Sequence, residues 1–221
     1  MLVKDRMSSP PITVREGVGV EEALRLMHSE DVRRLPVLDK RGKMVGIVSE
    51  LDLLKVSPSP ATSLSVYEIP YLLAKVKMKD VMTKDVITVA EDTPLEEAAR
   101  IMADNKIGGM PVMREDKLVG IITETDLFKT FMEMLGGREQ GFRISMFVPD
   151  EEGMLAKITA RISQMGINIT ALSTIAGEDP GSYLVTIRVA ADADMDALIG
   201  AVEEMGLELE DTRFCNVPAC S

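Results

Sequence analysis

Apolar positions along this chain change period in a fixed order, and the order occurs twice. Short apolar runs at residues 12–14, 35–38 and 44–48 predict strands, with a helical stripe between the first two. The same succession returns at 87–89, 111–113 and 118–122. In the second copy Leu95, Ala98, Ala99 and Met102 form the stripe. Thr93 as N-cap, Pro94 at the first helical position and Glu96 closing a capping box predict where that helix begins. The first copy has Val18 and Gly19 in place of Thr93 and Pro94, so its helix start is less marked. Polar turns at 39–42 and 114–117 join the two later strands, and a second helix is expected to open at Ser49 and at Thr123. Each unit reads β-α-β-β-α.

The two copies match as sequences. Residues 20–27 align with 95–102, 32–37 with 107–112, and 46–52 with 120–126. Pro111 follows Pro36 by 75 positions and Gly120 follows Gly46 by 74. Two copies of one small unit tend to pack face to face, and a ligand can sit in the groove between them. A turn-rich break at 57–63 separates them, and residues 64–76 are expected to be helical with a kink or restart at Pro70. Gly136 and Gly137 end the second copy.

From Phe142 the pattern changes. Strands are expected at 142–148, 167–175, 183–189 and 207–213, with a turn at 177–181. Helices are expected at 154–165, with Leu155, Ile158, Ile162 and Met165 on the apolar face, and at 195–205. The order β-α-β-β-α-β is the split arrangement of ferredoxin-like folds. The fold class is therefore α/β in the broad sense (α+β). Its parts are a first repeat at 1–56, a linker with a helix at 57–77, a second repeat at 78–135, a C-terminal domain at 142–213 and a tail at 214–221.

Charge and composition narrow the function. The formal net charge is −11; residues 142–221 hold 13 acidic and 5 basic side chains. Neither part offers the broad basic face that binding to nucleic acid needs. No apolar run approaches the roughly 20 residues of a membrane span, and the N-terminus lacks the apolar core of a secretory signal. No membrane association and a cytoplasmic location are the expectations. His28 is the only histidine, expected exposed, which excludes a multi-histidine metal site and a Ser-His or Cys-His pair within one chain. Cys215 and Cys220 lie in the last seven residues, have no second Cys/His pair to complete a zinc set, and read as unpaired thiols.

The chemistry concentrates where the copies agree best. Gly46–Asp52 and Gly120–Asp126 each end an apolar strand at a hydroxyl residue, Ser49 or Thr123, with Asp52 or Asp126 three positions later. As local structure this is a helix cap. The same geometry suits a nucleotide: helix-start N–H groups and a hydroxyl favour phosphate, and an aspartate one turn along can accept both hydroxyls of a ribose. On these motifs the region to about residue 135 resembles a tandem pair of CBS domains, a Bateman module. The resemblance implies an adenine nucleotide or related adenosyl ligand in the cleft, and regulation rather than catalysis. It implies ribose on Asp52 and Asp126, phosphate near Ser49 and Thr123, and a base lined by Thr13, Val14, Thr88 and Val89 with Pro36 and Pro111 behind it. The copies differ at Arg33 and Arg34, which stand where the second has Gly108 and Gly109. Arg34 falls at a position that often binds phosphate in such pairs, so the two sites are expected to be unlike.

Residues 148–155 followed by Gly166-Ile167-Asn168-Ile169 resemble an ACT domain over about 142–213. That likeness implies either a dimerisation module or a small-effector site, often for an amino acid, with Asp150, Gly153, Leu155 and Asn168 as contacts. As local structure, Asp150 could be an N-cap, Leu155 core and Asn168 a turn residue. The order CBS-CBS-ACT resembles the acetoin-utilisation regulatory proteins. The expected function is a non-catalytic sensor, a homodimer acting on a regulated enzyme of another chain, with the nucleotide as regulatory ligand and no cofactor. A structural adaptor with an empty cleft stands as the alternative. No Walker A loop or Rossmann glycine fingerprint suggests an enzyme.

Overall fold

In the first repeat, β1 (Val14–Arg15) pairs in parallel with β2 (Arg34–Leu38), which pairs antiparallel with β3 (Met44–Ser49). Helix α1 (Val20–Ser29) makes the crossover between β1 and β2, and α2 (Glu50–Val56) follows β3. The second repeat has the same construction: β4 (Val89–Ala90), α4 (Leu95–Asn105), β5 (Gly109–Arg114), β6 (Lys117–Thr123) and α5 (Glu124–Met134). A one-turn helix, α3 (Met78–Val81), precedes β4. This computed structural model describes residues 1–56 and 76–216, and the chain divides into two units, Met1–Phe128 and Lys129–Ser221. The helix expected at 64–76 and Cys220 lie outside the described residues but for Val76.

Each repeat completes its core with a segment that precedes the other. Val3, in a 3-10 turn at Val3–Asp5, is buried among Val89, Leu95, Met110 and Ile122 of the second repeat. Met78 is buried among Val14, Leu35, Val48 and Leu53 of the first. Full burial of such a side chain contributes about 1.5–3 kcal/mol, enough to hold each segment across the pair. Backbone hydrogen bonds follow the same exchange. Val3 N–H donates to the Thr93 carbonyl at 2.9 Å and Leu95 N–H to Met1 at 3.2 Å; Met78 N–H donates to Val18 at 3.0 Å.

The exchange corrects one expectation. Helix α4 starts at Leu95, its N-cap is Pro94, and no side chain caps it. The Thr93–Glu96 capping box does not form. The N-terminal segment already meets backbone groups at this helix start, and α1 begins in the same manner after Gly19, likewise without a side-chain cap.

Gly46 and Gly120 have a packing reason. A β-carbon at Gly46 would stand 2.9 Å from the Thr83 carbonyl oxygen and 2.8 Å from Met82 Cγ; at Gly120 it would meet Met7 and stand 3.0 Å from the Ser8 carbonyl oxygen. The exchanged segments thus cross both strands at matched glycines, with Thr83 N–H donating to Ile47 (2.9 Å) and Ser8 N–H to Ile121 (2.9 Å).

In the second unit four antiparallel strands lie in the order β10 (Glu208–Cys215), β7 (Gly141–Pro149), β9 (Ser182–Ala190), β8 (Ile169–Ala176). This is the ferredoxin-like order the sequence predicts. Alternate residues Ile144, Met146 and Val148 of β7 and Val185, Ile187 and Val189 of β9 bury one face. Against it pack Met154, Ile158 and Ile162 of α6 (Met154–Gln164) and Leu198 and Val202 of α7 (Met195–Glu204). Leu155 is not part of that stripe: with Met154, Ile158 and Ile162 four apart on the sheet side, it falls about 100° round the helix and is 41% exposed. On the far face the buried Ser145 hydroxyl pairs with that of Thr186 at 2.8 Å. Among the described residues no helix is long and apolar enough to cross a membrane.

Candidate functional site

A cleft of about 440 Å³ opens between the two repeats. The first repeat supplies Arg34 from the start of β2 and Ile47 and Ser49 from β3, with Asp52 from the first turn of α2. The segment entering the second repeat supplies Thr83, Asp85, Val86 and Ile87, and the loop from α4 to β5 supplies Lys106 to Gly109. The volume suits a mononucleotide-sized ligand, and the lining combines apolar side chains with two cations and two carboxylates.

Both hydroxyl–aspartate motifs have the capping geometry. Ser49 N–H and Oγ donate to Asp52 Oδ2 at 3.0 and 2.6 Å; Thr123 N–H and Oγ1 donate to Asp126 Oδ2 at 2.9 and 2.7 Å. The return bond, from Asp52 N–H to Ser49 Oγ, is 3.3 Å long. All four residues are half-buried at the rim of their strands. The cap holds each aspartate against its own helix start, and Asp52 also lines the cleft.

Arg34 crosses from the first repeat to the second. Its guanidinium lies against Gly108 and its Cδ 3.3 Å from where a β-carbon on Gly109 would stand. The Glu124 carboxylate comes within 2.6 Å of the corresponding point on Gly108. Gly108 and Gly109 are therefore the room that Arg34 needs. Lys106, on the same side of the cleft, caps α4 in the left-handed conformation at φ 54. For a residue with a β-carbon that conformation costs about 1–2 kcal/mol.

Of the residues expected from sequence, Arg34, Ser49, Asp52 and Gly109 come together in this cleft. Thr123 and Asp126 form the equivalent motif of the other repeat. Arg33 is exposed and does not line the cleft. Pro36 and Pro111 are buried within the hairpins, opposite Ile47 and Ile121. Val14 and Val89, each 5% exposed, turn their side chains into the two cores rather than toward a base, because alternation along β1 and β4 sends those positions inward. Thr13 is half-buried and Thr88 exposed, and neither lines the cleft. Sequence reasoning missed Ile47, Thr83, Asp85 and Ile87 as lining residues. The repeat register held no signal for Thr83, since its counterpart Ser8, 75 positions earlier, lies outside the matched stretches.

In the second unit Asp150, Gly153 and Leu155 line one pocket, of about 300 Å³, with Thr174 and Tyr183. Gly153 opens α6 at φ 83, and Asp150 does not cap the helix. Asn168 lies elsewhere, in a hollow with Asp192 and Asp194. Asp150 N–H bonds Gly181 at one end of the sheet, whereas the Asn168 carbonyl accepts from Ala190 at the other. Nine-residue strands put these ends on the order of 25 Å apart. The four residues therefore do not form one site within a chain.

Comparison with known proteins bears on both units. The CBS domain profile matches residues 3–59 and 78–133, and the ACT domain profile matches residues 142–206. An uncharacterized Methanocaldococcus jannaschii protein, MJ1426, is 34% identical over 60% of this chain and 92% of its own. The L-aspartate semialdehyde sulfurtransferase of that organism is 32% identical over 59% of this chain but only 23% of its own length, so this chain spans about a quarter of that enzyme. Among solved structures, the CBS domain pair of protein MJ0100 in complex with 5′-methylthioadenosine and S-adenosyl-L-methionine matches at 31% identity and TM-score 0.50, over 63% of this chain and 98% of that one. A Vibrio cholerae protein described as an acetoin utilization protein (AcuB) matches at 34% identity and TM-score 0.50, over 60% and 90%.

Proposed function

We propose, for a chain that belongs to the CBS-domain family and carries an ACT domain behind its CBS pair, a non-catalytic regulator that senses an adenosine-containing ligand. The cleft carries the proposal: Asp52, fixed by Ser49, faces the same space as Arg34 and Lys106, so a ribose acceptor and two phosphate-binding cations converge. The MJ0100 pair, which holds two adenosyl compounds, supports this ligand class. Enzymes among the relatives, such as the sulfurtransferase, match over this region alone, which supports a regulatory part. The Vibrio cholerae neighbour supports the likeness to acetoin-utilisation regulators. In this reading ligand binding biases the arrangement of the repeats, and hence a surface read by an enzyme on another chain. The ACT unit dimerises the protein or binds a small effector beside Asp150.

A thermal-shift screen with AMP, ATP, S-adenosylmethionine and NAD tests the proposal. A ligand at 100 times its dissociation constant adds about 2.7 kcal/mol. One observation favours a second reading, a structural adaptor with an empty cleft: both aspartates are already spent as helix caps. No shift with any of the four compounds would select it.

A further inference from the structure

We infer that the edge strand β8 is where the protein pairs with a second copy of itself, strand against strand, so that two sheets run on as one; the inference rests on the reading of the ACT unit as a dimerisation module. The sheet order leaves two edges, β8 and β10, each paired on one side only. An open edge presents a row of backbone N–H and C=O groups to another strand, and proteins blunt such edges with charges, proline or bulges. β10 is blunted: Glu208, Glu210, Asp211 and Arg213 lie along it, and a bulge interrupts it between Leu209 and Asp211. β8 is not. From Gly166 to Gly177 there is no charged residue and no proline, in a chain that is 28% charged. Its bulge lies at the entry, between Ile169 and Ala171, and leaves the pairing regular from Ala171 to Ala176.

The missing charge selects the occupant. Residues 142–221 hold 13 acidic and 5 basic side chains, so two copies of this unit repel each other over most of their surfaces. Around a two-fold axis a charge on the edge returns opposite its own kind, and like charges facing each other across strands are destabilising. A strand that receives a foreign chain is free of that constraint and can carry complementary charges; one that receives its own copy cannot. The side chains suit the same occupant. Leu172 and Thr174 stand on the helix side, beside the buried Ile187 and Val185, yet both are exposed, Leu172 at 37%. Leu155 of α6 and Tyr183 of β9, also exposed, line the pocket that Thr174 borders. Ile175 stands on the opposite side of the sheet and is 64% exposed. A two-fold axis normal to the sheet joins the two edges antiparallel, keeps the helices of both copies on one side, and brings a second strand against Leu172 and Ile175.

Sedimentation velocity of the full chain over a range of concentrations, with hydrogen exchange followed at residues 167–177, tests this. The wild type is expected to dimerise and to gain protection in β8 as its concentration rises. The double variant Leu172→Lys with Ile175→Lys supplies the charge that blunted edges carry. It is expected to raise the dimer dissociation constant at least tenfold and to abolish that gain in protection. Thr212→Lys, on β10, is expected to leave both within twofold. A dimer that resists the two lysines, or one that Thr212→Lys dissociates, would overturn the inference and leave the dimerisation reading standing. A wild type that stays monomeric at every concentration would overturn both. Circular dichroism melting identifies a variant that misfolds, and Thr170→Lys, at another exposed position of the same edge, then takes the place of the double variant.

Discussion

The guanidinium of Arg34 lies where a β-carbon on Gly108 would stand. Two positions that differ between otherwise matched repeats therefore explain each other: the arginine of one repeat needs the glycines of the other. Gly108→Ala should leave the fold intact, because the atoms it meets are the flexible ends of Arg34 and Glu124. It should displace the guanidinium and reduce the preference for AMP over adenosine about tenfold, or 1.4 kcal/mol. Calorimetric titration of both ligands gives the ratio.

Gly46→Ala and Gly120→Ala should behave differently from Gly108→Ala. Their β-carbons would meet the carbonyls of Thr83 and Ser8, which are backbone and cannot swing away. Each is expected to cost about 1–3 kcal/mol, read as a lower urea midpoint. Removing the Met82 thioether as well should not restore Gly46→Ala fully, since the Thr83 carbonyl remains.

Asp52→Ala and Asp126→Ala should each cost about 1 kcal/mol through loss of the cap. Only Asp52→Ala should also weaken a ligand that binds beside Arg34. Equal loss of stability with no difference in nucleotide titration would support the adaptor reading.

If the ACT unit binds an amino acid in the pocket beside Gly153, Asp150→Ala should remove the heat of titration and Asn168→Ala should not. The two positions sit at opposite ends of the sheet. Asn168→Ala should remove the heat as well if the site is completed by a second copy that brings its Asn168 to the first copy's Asp150, and sedimentation at several concentrations distinguishes the two.

Asp211 accepts hydrogen bonds from Arg213, and both Arg213 and Arg143 lie against it, which holds its carboxyl below the ordinary value of 3.8. A lowered carboxylate pKa contributes stability that is present above the unfolded value and lost as pH falls through the folded one. Asp211→Asn should therefore flatten the stability curve only below about pH 4, in denaturant titrations run from pH 2 to 7. Exposure of Arg213 to solvent keeps the effect small.

The elements themselves were legible in the chain. Period-2 and period-3.6 patterns act over a few residues, so both hairpins, the helices around them and the β-α-β-β-α-β order of the second unit follow from local spacing. The Ser49–Asp52 and Thr123–Asp126 pairs were legible for the same reason, since three residues separate each hydroxyl from its carboxylate.

What spacing could not supply lies between segments far apart. Thr93 and Glu96 have the composition of a capping box, yet Met1 and Val3 bond to that helix start and Val3 fills the core beside it. Val14 and Val89 sit within the motifs taken to line a base, yet alternation turned them into their cores. The family resemblance singles out Arg34 over Arg33, but only the fold sends its guanidinium across to Gly108 and brings Lys106 to the same cleft. The sequence by itself determined two copies of one unit and the chemistry each copy holds at its strand end. Which copy's charges meet in one groove was decided by the tertiary structure, because that depends on which backbone leaves room for which side chain, and the room at Gly108 was made 74 residues from the arginine that fills it.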